Sequence, residues 1–338
     1  MSSLPPQRPD GKLPSHVYEL REAGIVGNLV GTLGAVLAIG IVVSFFVRSP
    51  LAPKPPFSSD PDSTIIATKV ALARNSPAAQ VGLVGDSSCL MDLDVAALES
   101  VSQLTVVNLG TLSYLSLDSF GVLAGEFSQG KETPRIVLVV HPDCLRILSP
   151  SPAHRAILDS ALGSGRAAML QTHETLSAYL GFDEFRVRVS DHWIPHPLKG
   201  AFGNRYGFTA DLRDSLIHRK GTMDESARFD AHANHASAEY RLAPRIESEC
   251  REFRSKLPER TRIRVIVTPV PQSHALKSHE KKMREMQSQL EDWLGAEKPS
   301  FDLPLVMPDA DFGTVTHLTP EGAVRYSRLV GEAMRSWK

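Results

Sequence analysis

The chain has 338 residues, enough for one large domain or two modest ones and for a sizeable core. Its 37 Lys and Arg against 38 Asp and Glu leave a formal net charge of -1, which gives no electrostatic reason to expect nucleic acid or a strongly acidic polymer as partner. Three cysteines, Cys89, Cys144 and Cys250, are too few and too scattered for a disulfide framework or a paired-thiolate zinc site, so the fold must stand on its core.

In chain order, the first signal is the uncharged run GIVGNLVGTLGAVLAIGIVVSFFV at 24–47, interrupted only by Asn28, Thr32 and Ser44. At about 1.5 Å per residue it is long enough for a bilayer core of about 30 Å, and it shows no polar face of the kind a buried helix of a soluble domain carries. Its length and the FFVRSPLAPKPP that follows argue against a cleaved signal peptide, so residues 24–47 are expected to form a permanent transmembrane helix. Arg8, Lys12 and Arg21 precede the span and Arg48 and Lys54 follow it. The slight excess before it favours a cytoplasmic segment at 1–23, with the rest of the chain on the extracytoplasmic side. Gly27 and Gly31 make a G-x-x-x-G, too common in membrane helices to imply a dimer. Residues 48–63, rich in Pro and Ser, read as a semi-extended stalk.

From 64 to 338 short apolar runs alternate with helical patterns. VGLVG precedes SCLMDLDVAALES, LTVVNLG precedes SLDSFGVLAGEF, RIRVIVTPV precedes EKKMREMQSQLEDWL, and LPLVMP precedes EGAVRYSRLVGEAM. Strands that are apolar at consecutive positions suit a sheet covered on both faces, so the expected class is α/β: three layers around a mostly parallel sheet. The interval 149–242 breaks this rhythm and reads as an insertion over one end of the sheet, where ligands bind in such folds.

Three loops concentrate chemistry. VGLVG runs into Asp86, Ser87 and Ser88 at a strand-to-helix turn, where a serine hydroxyl is exposed beside helix N-terminal amides. The competing reading is that Asp86 or Ser87 only caps the helix. VVNLGTLSY places Asn108 and Gly110 after the second strand, and THLTPEGA places His317 just before a helix signalled by Thr319, Pro320 and Glu321. A serine, a glycine and a histidine that all follow strands can meet at one edge of a parallel sheet.

This ordered set resembles the SGNH or GDSL-type hydrolase superfamily, from about Ala79 to the C-terminus. GDSS is similar to its nucleophile block, with Ser87 as nucleophile and oxyanion-hole amide. NLG is similar to its second block, with Gly110 as oxyanion donor, and HLTPEGA to its last, with His317 as general base. The resemblance implies a flavodoxin-like three-layer domain and acyl-ester hydrolysis or O-acyl transfer without cofactor or metal. The anchored layout is most similar to the envelope branch, which includes alginate O-acetylation and teichoic-acid D-alanyl transfer proteins. The implied partners are an acylated polysaccharide or an acyl-donor protein.

Two departures stand out. The third block, usually Gly-x-Asn-Asp, is replaced by HPDCL, which leaves His141 or Asn108 to supply the missing oxyanion donor. The last block, usually Asp-x-x-His, has Thr314 where the aspartate belongs, which leaves Asp309 or Asp311 to orient His317, or a Ser-His dyad. The same departures motivate a rival reading as a catalytically inactive glycan-binding or envelope-assembly subunit.

The remaining conspicuous residues read as structural. His232 and His235, near Asp230 and Glu239, form a polar helix face more readily than a metal site. Cys89 and Cys144 follow strands close enough to the proposed site for either a bridge or two buried thiols. Met283, Met286, Leu290 and Trp293 stand at core-packing spacing, and Gly200, Gly203 and Gly207 lack the strand and helix that a phosphate loop needs.

Overall fold

A computed structural model describes residues 22–48, 61–146, 150–163, 209–225, 241–275, 279–298 and 301–337. The first helix, α1 (Glu22–Arg48), covers the long apolar run. Among residues whose side chains are described, which in α1 are 27–42, no helical segment is long and apolar enough to cross a membrane; the span expected at 24–47 extends beyond that window. Helix α2 (Pro61–Asn75) starts inside the stretch read as stalk, with Pro61 at its head and Asp62 in its first turn, both favourable at a helix N-terminus.

The body of the molecule is α/β. Strands β1 (Val81–Gly85), β2 (Val106–Asn108), β3 (Arg135–Val140) and β4 (Arg262–Val267) form a four-stranded, all-parallel sheet in the order β2-β1-β3-β4. The register sets Leu83 opposite Asn108 on one side and Val137 on the other, so the chain leaves β1, β2 and β3 at one common edge. Strand order reverses at β1, because successive strands are added first on one side of it and then on the other, and this opens a crevice beyond its carboxyl end.

Alternation along each strand sends side chains to two cores. On one face Val84, Leu138, Val265 and their neighbours pack with α2, α5 (Leu117–Ser128) and two later helices, Ile246–Ser255 and His279–Leu294. On the other, Val81, Leu83, Val137 and Val139 pack with α4 (Val95–Ser102), which follows the short α3 (Ser87–Asp92), and with the C-terminal helix. Helices on both faces of a parallel sheet are compatible with a three-layer domain. Met283, Met286 and Leu290 lie in the first core, with Trp293 packed on it, as their spacing implied.

The remaining α-helices among the described residues are α6 (Pro142–Arg146), α7 (Pro152–Ala161), α8 (Thr209–His218), α9 (Ile246–Ser255), α10 (His279–Leu294) and α11 (Pro320–Met334). The expected strand LPLVMP shrinks to β6 (Val306–Met307), paired in parallel with β5 (Val270–Pro271) outside the main sheet. Pro304 and Pro308 flank it, and a residue without an N–H cannot extend a ladder.

Within the interval 149–242, α7 and α8 pack on α2, and the chain after α8 runs along the outer side of β2. There Asn108 N–H donates to Lys220 O (2.8 Å), Met223 N–H to Leu90 O (3.0 Å) and Thr222 Oγ1 to Leu93 O (3.0 Å). These bonds tie the segment to β2, to α3 and to the turn before α4.

Candidate active site

The β1-to-α3 turn is built around a close approach. A Cβ on Gly85 would lie 1.7 Å from Val139 O, so any other residue there would push β3 away. Asp86 follows, fully buried, and caps α3: Oδ1 accepts from Ser88 N–H (2.9 Å) and Ser88 Oγ (2.6 Å), while Oδ2 accepts from His141 N–H (2.9 Å). One carboxylate thus fastens the end of β1 to the end of β3 and sets Ser87 as the first residue of α3.

Ser87 Oγ lies 2.9 Å from His317 Nε2, although the two residues are 230 positions apart. The histidine loop is shaped by its own backbone. Thr314 Oγ1 accepts from His317 N–H (3.0 Å), and His317 O accepts from Gly313 and Thr314 N–H (2.9 and 3.1 Å). Asp92 Oδ1 takes Leu318 N–H (2.8 Å), and Thr319 Oγ1 caps α11 through Gly322 N–H (3.0 Å). Burial holds the Asp92 carboxyl well above the usual carboxylate range, with the Leu318 N–H pulling the other way.

The acid behind the histidine is Glu225. Its Oε2 lies 2.9 Å from His317 Nδ1, and its side chain is 1% exposed. Neither acid expected in this role reaches the ring. Asp309 Oδ1 accepts from Ser273 N–H (2.9 Å), and Asp311 is ion-paired with Arg325 in the second turn of α11. Both lie in the turn after β6 and are engaged by nearer donors, whereas Glu225 comes from the segment stitched along β2. Thr314, where the family pattern has aspartate, holds the histidine's backbone instead of its imidazole.

In the neutral tautomer whose Nδ1–H faces the carboxylate, Nε2 presents a lone pair and Ser87 O–H donates to it. A second hydroxyl completes the cluster: Ser113 Oγ, in the loop after β2, lies 2.9 Å from Ser87 Oγ.

Two expected oxyanion donors are otherwise engaged. Gly110 N–H donates to Asn108 Oδ1 (2.8 Å), and Asn108 Nδ2 donates to Cys89 O (2.6 Å) from a fully buried position. Glycine is required at 110 because a Cβ would stand 2.5 Å from Leu90 N, where this loop crosses α3. His141 differs. Its Nδ1 accepts from Asp143 N–H (3.2 Å), and burial lowers its pKa, so the neutral ring carries its proton on Nε2. That nitrogen is buried with no hydrogen-bond partner among the described residues.

Cys89 and Cys144 are free thiols, both shifted upward chiefly by burial, and no bridge joins them. Beneath the site lies a fully buried lysine: Lys69 Nζ donates to Asn108 O (3.0 Å) and Gly221 O (2.5 Å), cross-linking β2 to the segment that carries Glu225. Burial lowers its pKa to about 7. His232, His235, Gly200, Gly203 and Gly207 lie outside the described residues.

No family model matches the chain, and neither a curated protein nor a solved structure shows significant similarity to it.

Proposed function

We propose that the chain is an SGNH-like acyl-ester hydrolase or O-acyltransferase with a flavodoxin-like α/β domain. The observation that carries this reading is the relay Ser87 Oγ, His317 Nε2, His317 Nδ1, Glu225 Oε2, continuous at 2.9 Å per step at the carboxyl edge of the sheet. Nucleophile, base and orienting acid in hydrogen-bond reach are the arrangement that activates a serine hydroxyl.

In the proposed mechanism His317 Nε2 takes the Ser87 proton as Oγ forms a bond to the acyl carbon, and the carbonyl electron pair moves onto oxygen. When the tetrahedral intermediate collapses, the bond to the leaving alcohol breaks and His317 returns the proton to that oxygen. Water or a sugar hydroxyl then repeats the sequence in reverse, releasing the acyl group or transferring it. The Ser87 amide and the His141 Nε2–H, unpartnered among the described residues, are the donors proposed for the oxyanion.

The reading extends to an envelope or exported polysaccharide as substrate and to a single-pass membrane protein with its C-terminal domain on the extracytoplasmic side. What supports the anchor is the uncharged run and the exposure of Leu29, Val30, Leu33, Leu37 and Val42 on α1. A binding subunit without turnover is the second reading, favoured by the engagement of Gly110 N–H and Asn108 Nδ2. The test is a fluorophosphonate probe on the full-length chain in detergent. Labelling abolished by Ser87→Ala and by His317→Ala supports the enzyme. A folded wild-type chain that stays unlabelled and deacetylates no acetylated sugar, yet binds glycan, replaces the enzyme with the binding subunit.

A further inference from the structure

Resting on the serine-hydrolase reading above, we infer that Ser113 is a catalytic residue whose hydroxyl serves as an oxyanion donor in place of Gly110 and Asn108. A general base must be neutral, and with its one ring proton on Nδ1 facing the Glu225 carboxylate, His317 Nε2 is an acceptor and takes the one proton of Ser87. The bond of 2.9 Å between the two serine oxygens then requires Ser113 to be the donor. In the resting site its O–H points at the atom that will attack.

Acylation changes what that proton faces. Once Oγ is bonded to the acyl carbon it becomes an ester-type oxygen and a much weaker acceptor, while a full negative charge develops on the carbonyl oxygen attached to the same carbon. A rotation about the Cβ–Oγ bond of Ser113 carries its proton from the first oxygen to the second, and no bond to another group has to be broken. Gly110 N–H and Asn108 Nδ2 have no such freedom: the first already donates to Asn108 Oδ1, and the second is held on Cys89 O in a fully buried side chain within the packed junction of β2 and α3. The Ser113 backbone is held in place meanwhile: its carbonyl accepts from Cys144 Sγ at 3.7 Å, and the next residue's carbonyl, Tyr114 O, accepts from Ser151 N–H at 2.8 Å.

The hydroxyl is isolated by a pair of variants of equal shape, Ser113→Thr and Ser113→Val, assayed with Ser113→Ala as full-length protein on p-nitrophenyl acetate and with the fluorophosphonate probe. Losing one oxyanion donor lowers kcat about 10²- to 10³-fold in characterised enzymes. The expected result is a fall of that size in Val and Ala, with KM within about threefold, and recovery in Thr to within about tenfold of wild type. An active wild type with Val equal to Thr, or with Ala within threefold of wild type, overturns the role of Ser113 and leaves the Ser-His-Glu reading standing. An inert, unlabelled wild type overturns both.

Discussion

Glu225 does for His317 what no acid in the histidine's own loop does, and its contribution is measurable. An amide in its place cannot stabilise the imidazolium and leaves the ring's tautomer unguided; in serine proteases the corresponding change lowers kcat about 10⁴-fold. Glu225→Gln is therefore expected to reduce turnover at least about 10²-fold, whereas Asp309→Asn and Asp311→Asn stay within severalfold of wild type, as steady-state kinetics on one acetyl ester would show. The equal loss of activity in Asp309→Asn would return the orienting role to the loop after β6. Ser87 and His317 were legible in the sequence because each sits where a strand signal meets a helix signal. Glu225 was not. It lies 92 positions before its partner, in a polar stretch without periodicity, and its place depends on backbone bonds to β2 and α3 that no local pattern encodes. Gly110 and Asn108 illustrate the opposite case, since the residue types suit donors but Gly110 N–H is engaged by Asn108 Oδ1 and the Asn108 amide is fully buried against Cys89 O.

At the level of elements, the strands buried on both faces were legible from consecutive apolar residues, and the cap of α11 from Thr319 and Pro320. The cap has a value: removing a threonine side chain at this position costs about 0.5–2 kcal/mol. Thr319→Ala should lower the urea-unfolding free energy by about that much. Because Thr319 N–H also donates to Asp311 O (2.7 Å) through its backbone, which alanine retains, the histidine loop should keep its path and turnover should fall less than stability suggests. Gly110→Ala is different in kind. Its new methyl meets α3 backbone at 2.5 Å, so it should destabilise by roughly 1–3 kcal/mol through overpacking, visible as a lower melting temperature. What stayed illegible at this scale was the extent of β6, where flanking prolines cut an apolar run down to two paired residues.

Across the whole molecule, the interval 149–242 contributes Glu225 to the candidate site, and Lys69 is a buried tie between Gly221 and β2. Its protonation is linked to stability. The folded value is about 7, while an unfolded lysine titrates near 10.4, so above pH 7 the unfolded chain binds a proton that the folded chain does not. Stability from this group therefore rises with pH, starting at the folded value; the window of about 7 to 8.5 precedes the titration of unfolded cysteines. Unfolding free energy in urea should increase by up to about 2 kcal/mol across that window in wild type. In Lys69→Met, less stable overall because two carbonyls lose their donor, this increment should vanish. A slope unchanged by the substitution would show that the ammonium is not the titrating group. The proposed topology is tested separately: protease added outside intact cells should cut near Ser58 and release the α/β domain, whereas cleavage only after lysis would place that domain in the cytoplasm.

The relay joins residues 87, 225 and 317, drawn from three widely separated parts of the chain. Contacts of such long sequence separation are closed late, after local helices and neighbouring strands have formed. On the proposed reading, a ribosome-bound chain lacking its last stretch has a nucleophile without a base. Catalytic competence would then be the final event of folding, and on dilution from urea the recovery of the proposed esterase activity is expected to lag behind the recovery of helical circular dichroism.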